Sequence, residues 1–184
     1  MRIGVDATSW GNRRGYGRFA RNAVGRLVEL DAETTYVFVA DRDAEGLPEG
    51  VEVLVVSGGR PPADAASNRS PVDLMRLGAA ASRARLDALL FPSVYTYFPS
   101  VRVPTVVGVH DLIADDFPEL TLPSARARRF WQAKQRLAVK LAKRLFTVSE
   151  TSRQELASRW KLPPSRIAVV PEAPDPVFTP RPPA

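Results

Sequence analysis

Two places in the chain combine residue types and spacing that can do chemistry. The first is His110, the one histidine among 184 residues. It follows the apolar run Thr105-Val106-Val107-Gly108-Val109 and precedes Asp111. An imidazole there can hydrogen-bond a substrate or exchange a proton near neutral pH, and Asp111 can orient it or cap the residues after it. The plainer reading is a hydrogen-bonded histidine at a strand end. The second place is Gly15-Tyr16-Gly17-Arg18-Phe19-Ala20, which matches the G-x-G-x-x-[GA] pattern of a dinucleotide-binding turn, with Asp41 placed as a ribose-binding acid. That turn needs its first glycine directly after a strand, and Thr8–Arg14 intervene. An NAD(P)-type dinucleotide site therefore stands only as an alternative. In the milder reading, Gly15 and Gly17 let the backbone approach a ligand and the helix start offers N–H groups to an anion, with Arg13, Arg14 and Arg18 adding positive charge. Its counterpart is a loop whose glycines serve turn geometry alone.

Composition removes other chemistries. There is no cysteine, which excludes disulfides and thiol nucleophiles. A single histidine excludes a multi-histidine metal site, and no metal is expected. The N-terminus Met1-Arg2-Ile3-Gly4-Val5-Asp6 lacks the form of a signal peptide, and no apolar run approaches a membrane span, so a cytoplasmic location is expected. Net charge is +6, yet residues 120–149 hold eight basic side chains and no acidic one, while the rest holds 18 basic against 20 acidic. The basicity thus belongs to one element.

These residues need a scaffold that brings them together. Short apolar or β-branched runs at 2–7, 36–40, 51–56, 86–91, 105–109, 145–148 and 167–170 read as strands. Helical spacing appears at 16–30, with Phe19, Ala23, Leu27 and Leu30 on one face. Further helices are expected at 71–86 after Ser70, at 122–143, and at 150–160 capped by Ser149. Strand and helix alternate almost throughout. The expectation is an α/β, Rossmann-like, doubly wound and mostly parallel sheet with helices on both faces. Such sheets bind ligands beyond the carboxyl ends of their strands, which singles out residues 8–18, 93–100, 110–118, 149–152 and 171–175. The segment 57–68 reads as a Gly-, Pro- and Ser-rich loop. Eight of seventeen prolines fall in residues 163–184, so residues 1–172 read as one domain and 173–184 as a Pro-rich linker.

On the helix over 122–143, Arg129, Arg136, Lys140 and Lys143 share one face, with Arg126 and Arg144 at its edge. Ala127, Trp131, Ala138 and Ala142, with Phe130, Leu137 and Leu141 beside them, form the face expected to pack on the sheet. The basic face is either solvated or in peripheral contact with anionic lipid at the inner face of a membrane. Nucleic acid is not the expected partner, because interleaved aromatics and recognition motifs are missing. A non-enzymatic membrane-docking module is a further alternative.

Four segments in order resemble the N-terminal domain of glycosyltransferase family 4, of the GT-B fold. They are Gly15-Tyr16-Gly17-Arg18-Phe19; Val109-His110-Asp111-Leu112-Ile113 with Phe117-Pro118; Thr147-Val148-Ser149-Glu150-Thr151-Ser152-Arg153; and Ile167-Ala168-Val169-Val170-Pro171-Glu172 closed by Asp175-Pro176-Val177-Phe178-Thr179-Pro180. Where many members carry an Asn-Gly-Val-Asp turn, this chain has Glu172-Ala173-Pro174-Asp175. The resemblance implies one lobe of a retaining, metal-independent, hexosyltransferase-type enzyme. The donor would be a nucleotide-diphosphate sugar, held mainly by a second lobe carrying an E-x7-E signature, with no resident cofactor. The acceptor would be a sugar or a lipid-linked glycan. His110 would face the reacting sugar, with Gly15, Tyr16, Gly17, Arg18, Asp111, Ser149, Glu150 and Ser152 on the substrate side. Without the second lobe, no turnover is expected.

Overall fold

The computed structural model describes residues 1–13, 15–40, 45–56, 70–174 and 178–179. Seven strands form one wholly parallel sheet: β1 (Arg2–Asp6), β2 (Thr35–Ala40), β3 (Glu52–Val55), β4 (Ala88–Phe91), β5 (Thr105–Gly108), β6 (Arg144–Thr147) and β7 (Ile167–Val169). Their spatial order is β3-β2-β1-β4-β5-β6-β7. The order reverses between β1 and β4, which pair through Ile3↔Ala88, Gly4↔Leu89 and Val5↔Leu90. All strand carboxyl ends lie along one edge, and the reversal opens a crevice there.

Three helices follow the β3–β4, β5–β6 and β6–β7 connections: α2 (Pro71–Arg83), α3 (Ala125–Leu141) and α4 (Glu150–Trp160). Pro71 at the first position and the Ser70 hydroxyl accepting from Asp73 N explain where α2 starts. With α3 and α4 it covers the larger core, into which β2 sends Val37 and Val39, β4 Leu89 and Phe91, β5 Val107, β6 Leu145 and β7 Ile167. The period-two alternation of strands turns Val5, Tyr36, Phe38, Ala40 and Leu90 to the other face. That face is covered by α1, a continuous run of the segments Gly15–Phe19, Ala20–Val24 and Gly25–Leu30. Beyond α1, on the β5–β7 side, an open groove of about 600 Å³ remains, lined by Leu27, Val106, Phe146 and Ala168 among others.

Two sequence expectations change here. The middle segment of α1, Ala20–Val24, is a π-turn. Its extra residue per turn shifts the register, so Phe19, Ala20 and Val24 are buried and Leu27 and Leu30 are exposed. The regular spacing Phe19-Ala23-Leu27-Leu30 therefore does not describe the packed face. In α3 the buried residues are Ala127, Trp131, Gln135, Ala138 and Val139, and Leu137 and Leu141 face outward. The helix is also shorter than 122–143. It starts after the Ser124 cap and stops because Lys143 N donates to Thr105 O at 2.8 Å, as β6 begins. Lys143 and Arg144 therefore leave the helix.

Among the described residues no helix is long and apolar enough to cross a membrane. Residues 171–174 are exposed and without regular structure, and most of the expected linker beyond them, like the 57–68 loop, lies outside the described residues.

Candidate functional site

The loop leaving β1 is built from its own side chains. Buried Asp6 accepts from Thr8 N at 3.1 Å and Thr8 Oγ1 at 2.6 Å. Buried Trp10 packs edge-on against Phe38 and donates from Nε1 to Gly46 O at 2.9 Å. Arg21 of α1 reaches back to donate to Trp10 O, and to Asn12 O at 2.8 Å. The loop is thus folded and tied to its helix, and it separates the end of β1 at Asp6 from the start of α1 at Gly15. A tight strand-to-helix turn for a dinucleotide pyrophosphate is not formed. Asp41 and Arg14 lie outside the described residues.

The two glycines differ. A Cβ on Gly17 would overlap the Asn12 carbonyl oxygen and stand 2.9 Å from its carbon. Gly17 is therefore needed by the chain's own loop. Nothing lies within 4 Å of a Cβ on Gly15, where the helix opens to solvent. Arg13 and Arg18 beside it are exposed and form no ion pair with a described carboxylate. Tyr16 accepts from Asn12 Nδ2 at 2.6 Å, and its ring stands 5.5 Å from Tyr95, which follows β4. This contact spans the crevice between β1 and β4. Tyr95 stacks in turn on Trp131 at 4.8 Å, and Lys134 Nζ donates to Tyr95 O at 2.7 Å. Burial pushes the Tyr95 hydroxyl up to about 12, with Asp111, Asp115 and Tyr16 adding to the rise. Its sequence neighbours Tyr97 and Phe98 belong to the core instead, packed on Phe91.

His110 follows β5 at the same edge. Its Nε2 lies 2.9 Å from Pro92 O, a pure acceptor, so Nε2 carries the proton and donates. Gly108 makes that approach possible, since a Cβ there would meet Pro92 O at 2.5 Å and the Phe146 ring at 2.5 Å. Phe19 packs edge-on against the imidazole at 4.6 Å. Burial lowers the histidine pKa, opposed by the Pro92 hydrogen bond and the charges of Glu172 and Asp111. The ring is neutral at pH 7, and its Nδ1 lone pair is an acceptor. The His110 carbonyl meanwhile receives Thr147 Oγ1 at 3.4 Å.

Asp111 does not hold the imidazole. Its Oδ1 accepts from Ile113 N at 2.9 Å and caps the next turn, so it acts on His110 only through its charge. Ser149 caps α4, accepting from Ser152 N at 3.1 Å and donating to Ser152 Oγ at 3.0 Å. Glu150 pairs with Arg153 at 2.7 Å and also accepts from Gln154. The Ser149-Glu150-x-Ser152-Arg153 pattern thus builds a helix start at the site's edge.

Gly15–Phe19, Tyr95, His110 and Glu172 converge on one region, with Ser149–Ser152 at the neighbouring strand end. No sequence signal points to Pro92, whose contribution is a backbone carbonyl, or to the Tyr16–Tyr95–Trp131 aromatic cluster, which joins three distant elements. Glu172 is visible in the sequence only as a departure from the family's turn. No group of three or more His, Asp or Glu side chains among the described residues is arranged to hold a metal ion.

The family model described as Glycosyltransferase Family 4 matches residues 13–177. No curated protein matches the chain. A structure of Phytolacca americana UGT2 complexed with UDP-2fluoro-glucose and pterostilbene is similar, with a TM-score of 0.53 at 11% identity over 94% of this chain and 54% of that one. A structure of UDP-N-acetylglucosamine 2-epimerase from Rickettsia bellii gives a TM-score of 0.47 at 11% identity, over 91% of this chain and 43% of that one. The chain thus spans about half the length of these two proteins.

Proposed function

Since the chain belongs to glycosyltransferase family 4, we propose that it is the acceptor-side lobe of a two-lobed, retaining glycosyltransferase of hexosyltransferase type. The donor is a nucleotide-diphosphate sugar held chiefly by a second lobe, and this lobe alone does not turn over. The observation that carries the reading is the neutral His110, its Nε2–H committed to Pro92 and its Nδ1 lone pair left as an acceptor at the strand-end edge. A sugar hydroxyl donating to Nδ1 would orient the pyranose. The exposed Arg13 and Arg18, beside the helix start at Gly15, supply positive charge for a departing diphosphate. In the transfer the bond from the anomeric carbon to the diphosphate oxygen breaks, and a bond to the acceptor oxygen forms on the same face. The acceptor proton passes to a departing phosphate oxygen, so no step needs a metal or a side-chain nucleophile from this lobe.

Because the chain has one histidine, its imidazole nitrogens give an unambiguous NMR probe. Titration with a hexose 1-phosphate, which carries both sugar and phosphate, is expected to shift Nδ1 and the Gly15–Arg18 amides together, saturably and weakly. A titration that moves neither overturns the site. A coding sequence that continues past Ala184 into a second lobe, with two glutamates eight positions apart, is the companion expectation.

A further inference from the structure

The outward placement of Leu137 and Leu141 leaves α3 with an unusual solvent face. Leu137 is 40% exposed and Leu141 45% exposed, while the sheet-facing side is filled by Ala127, Trp131, Gln135, Ala138 and Val139. At about 100° per residue the outer arc runs from Arg136, Arg129 and Lys140 through Arg126 to Leu137, half-buried Phe130 and Leu141. A cationic strip thus lies beside an apolar strip along a helix about 25 Å long.

The cations of this face are clustered and, like Arg13 and Arg18, form no ion pair with a described carboxylate. Arg2, Arg26, Arg76, Arg153 and Arg159 each pair with a carboxylate. Arg126, Arg129, Arg136 and Lys140 pair with none among the described residues, and residues 120–149 contain no acidic side chain at all. Just before the helix, Ile113, Phe117 and Leu120 are exposed at 53%, 52% and 79%. Of the carboxylates among them, Asp115 accepts from Gln135, the exposed Asp116 is paired with Arg159, and Glu119 stays exposed.

We propose that the outer face of α3 docks on an anionic lipid bilayer. Arg126, Arg129, Arg136 and Lys140 meet the headgroups, and Leu137 and Leu141 enter the acyl boundary. Charge complementarity selects an anionic surface, and the leucines on the same arc select a bilayer over a nucleic acid, whose phosphates would have no use for them. Helices of a parallel sheet start at the strand carboxyl edge, so a docked α3 holds the candidate site at headgroup height. If the site is the acceptor side proposed above, the acceptor is carried by a lipid; the docking itself does not depend on that reading.

The test is sedimentation of the chain with phosphatidylcholine vesicles and with mixed phosphatidylcholine–phosphatidylglycerol vesicles, circular dichroism confirming the fold of each variant. The chain is expected to pellet with the mixed vesicles and stay in solution with the neutral ones. R129E/R136E/K140E is expected to lower partitioning by about a hundredfold. L137S/L141S is expected to lower it by about tenfold and to leave only salt-labile binding. Equal pelleting of the wild type and the charge-reversed variant overturns the proposal, as does equal binding to neutral and mixed vesicles. Binding to single-stranded DNA that L137S/L141S does not weaken, with no vesicle binding, assigns the face to nucleic acid instead. Should the triple variant fail to fold, salt-independent binding by the wild type refutes the electrostatic half of the proposal.

Discussion

Replacing Gly17 by alanine tests how the glycine loop is built. A Cβ at that position would overlap the Asn12 carbonyl oxygen and stand 2.9 Å from its carbon and 3.0 Å from its Cβ. These atoms cannot simply give way, because Arg21 holds the same carbonyl at 2.8 Å and the neighbouring Trp10 carbonyl as well. Overpacking of this kind costs about 1–3 kcal/mol, and the better helix propensity of alanine returns up to about 1 kcal/mol. The net expectation is a loss of about 1 kcal/mol, or about 2–4 °C in Tm for a chain of this size. Gly15→Ala is the control. It meets nothing within 4 Å, so it is expected to be neutral or stabilising by up to about 1 kcal/mol. Urea denaturation of both variants measures the difference. An Arg21→Met background sharpens the test, because releasing the Asn12 carbonyl lets the loop retreat and reduces the cost of Gly17→Ala by about 0.5–2 kcal/mol. Equal stabilities for Gly15→Ala and Gly17→Ala would refute the close-approach account and return Gly17 to the role of ligand contact.

Three further outcomes are expected. Burial lowers the His110 pKa below its usual 6.5, so the unfolded chain binds that proton more readily. Stability is therefore lost as pH falls from 6.5 through the lower folded value, and His110→Gln flattens this part of the curve in urea unfolding across pH; an unchanged slope would show that His110 does not titrate there. Ser149→Ala removes the cap from α4 and is expected to cost about 1 kcal/mol in the same assay, with Ser149→Asp restoring most of it. Lys161 closes α4 in the left-handed region at φ 52°, so Lys161→Gly is expected to stabilise by about 1 kcal/mol, seen as a rise in Tm of about 2–4 °C.

What can be read from sequence depends on how local the cause is. Ser70-Pro71 and Ser149 announce helix starts because a cap needs only its own first turn. The β-branched runs ending at Ala40 and Gly108 announce strands because burial on both faces demands continuous apolar side chains. His110 is legible as a strand-end residue for the same reason. The π-turn at Ala20–Val24 is not, since one extra residue leaves a stripe of apolar positions that regular helical spacing also fits. The outward turn of Leu137 and Leu141 is equally hidden. Only packing decides that Gln135, bonded to Asp115, and not a leucine, faces the sheet.

By itself, the sequence determined the alternation of strands and helices, the edge on which the candidate site lies and the family, because each comes from periodicity, capping or ordered motifs along the chain. Tertiary structure alone decided the chemistry available there. It set the neutral state of His110 through burial and its tautomer through Pro92, the duty of Gly17 toward Asn12, the tilted contact of Tyr16 with Tyr95 and the stack of Tyr95 on Trp131. Those are contacts between residues far apart in the chain or on different elements, and no local pattern encodes which backbone carbonyl will meet a given side chain.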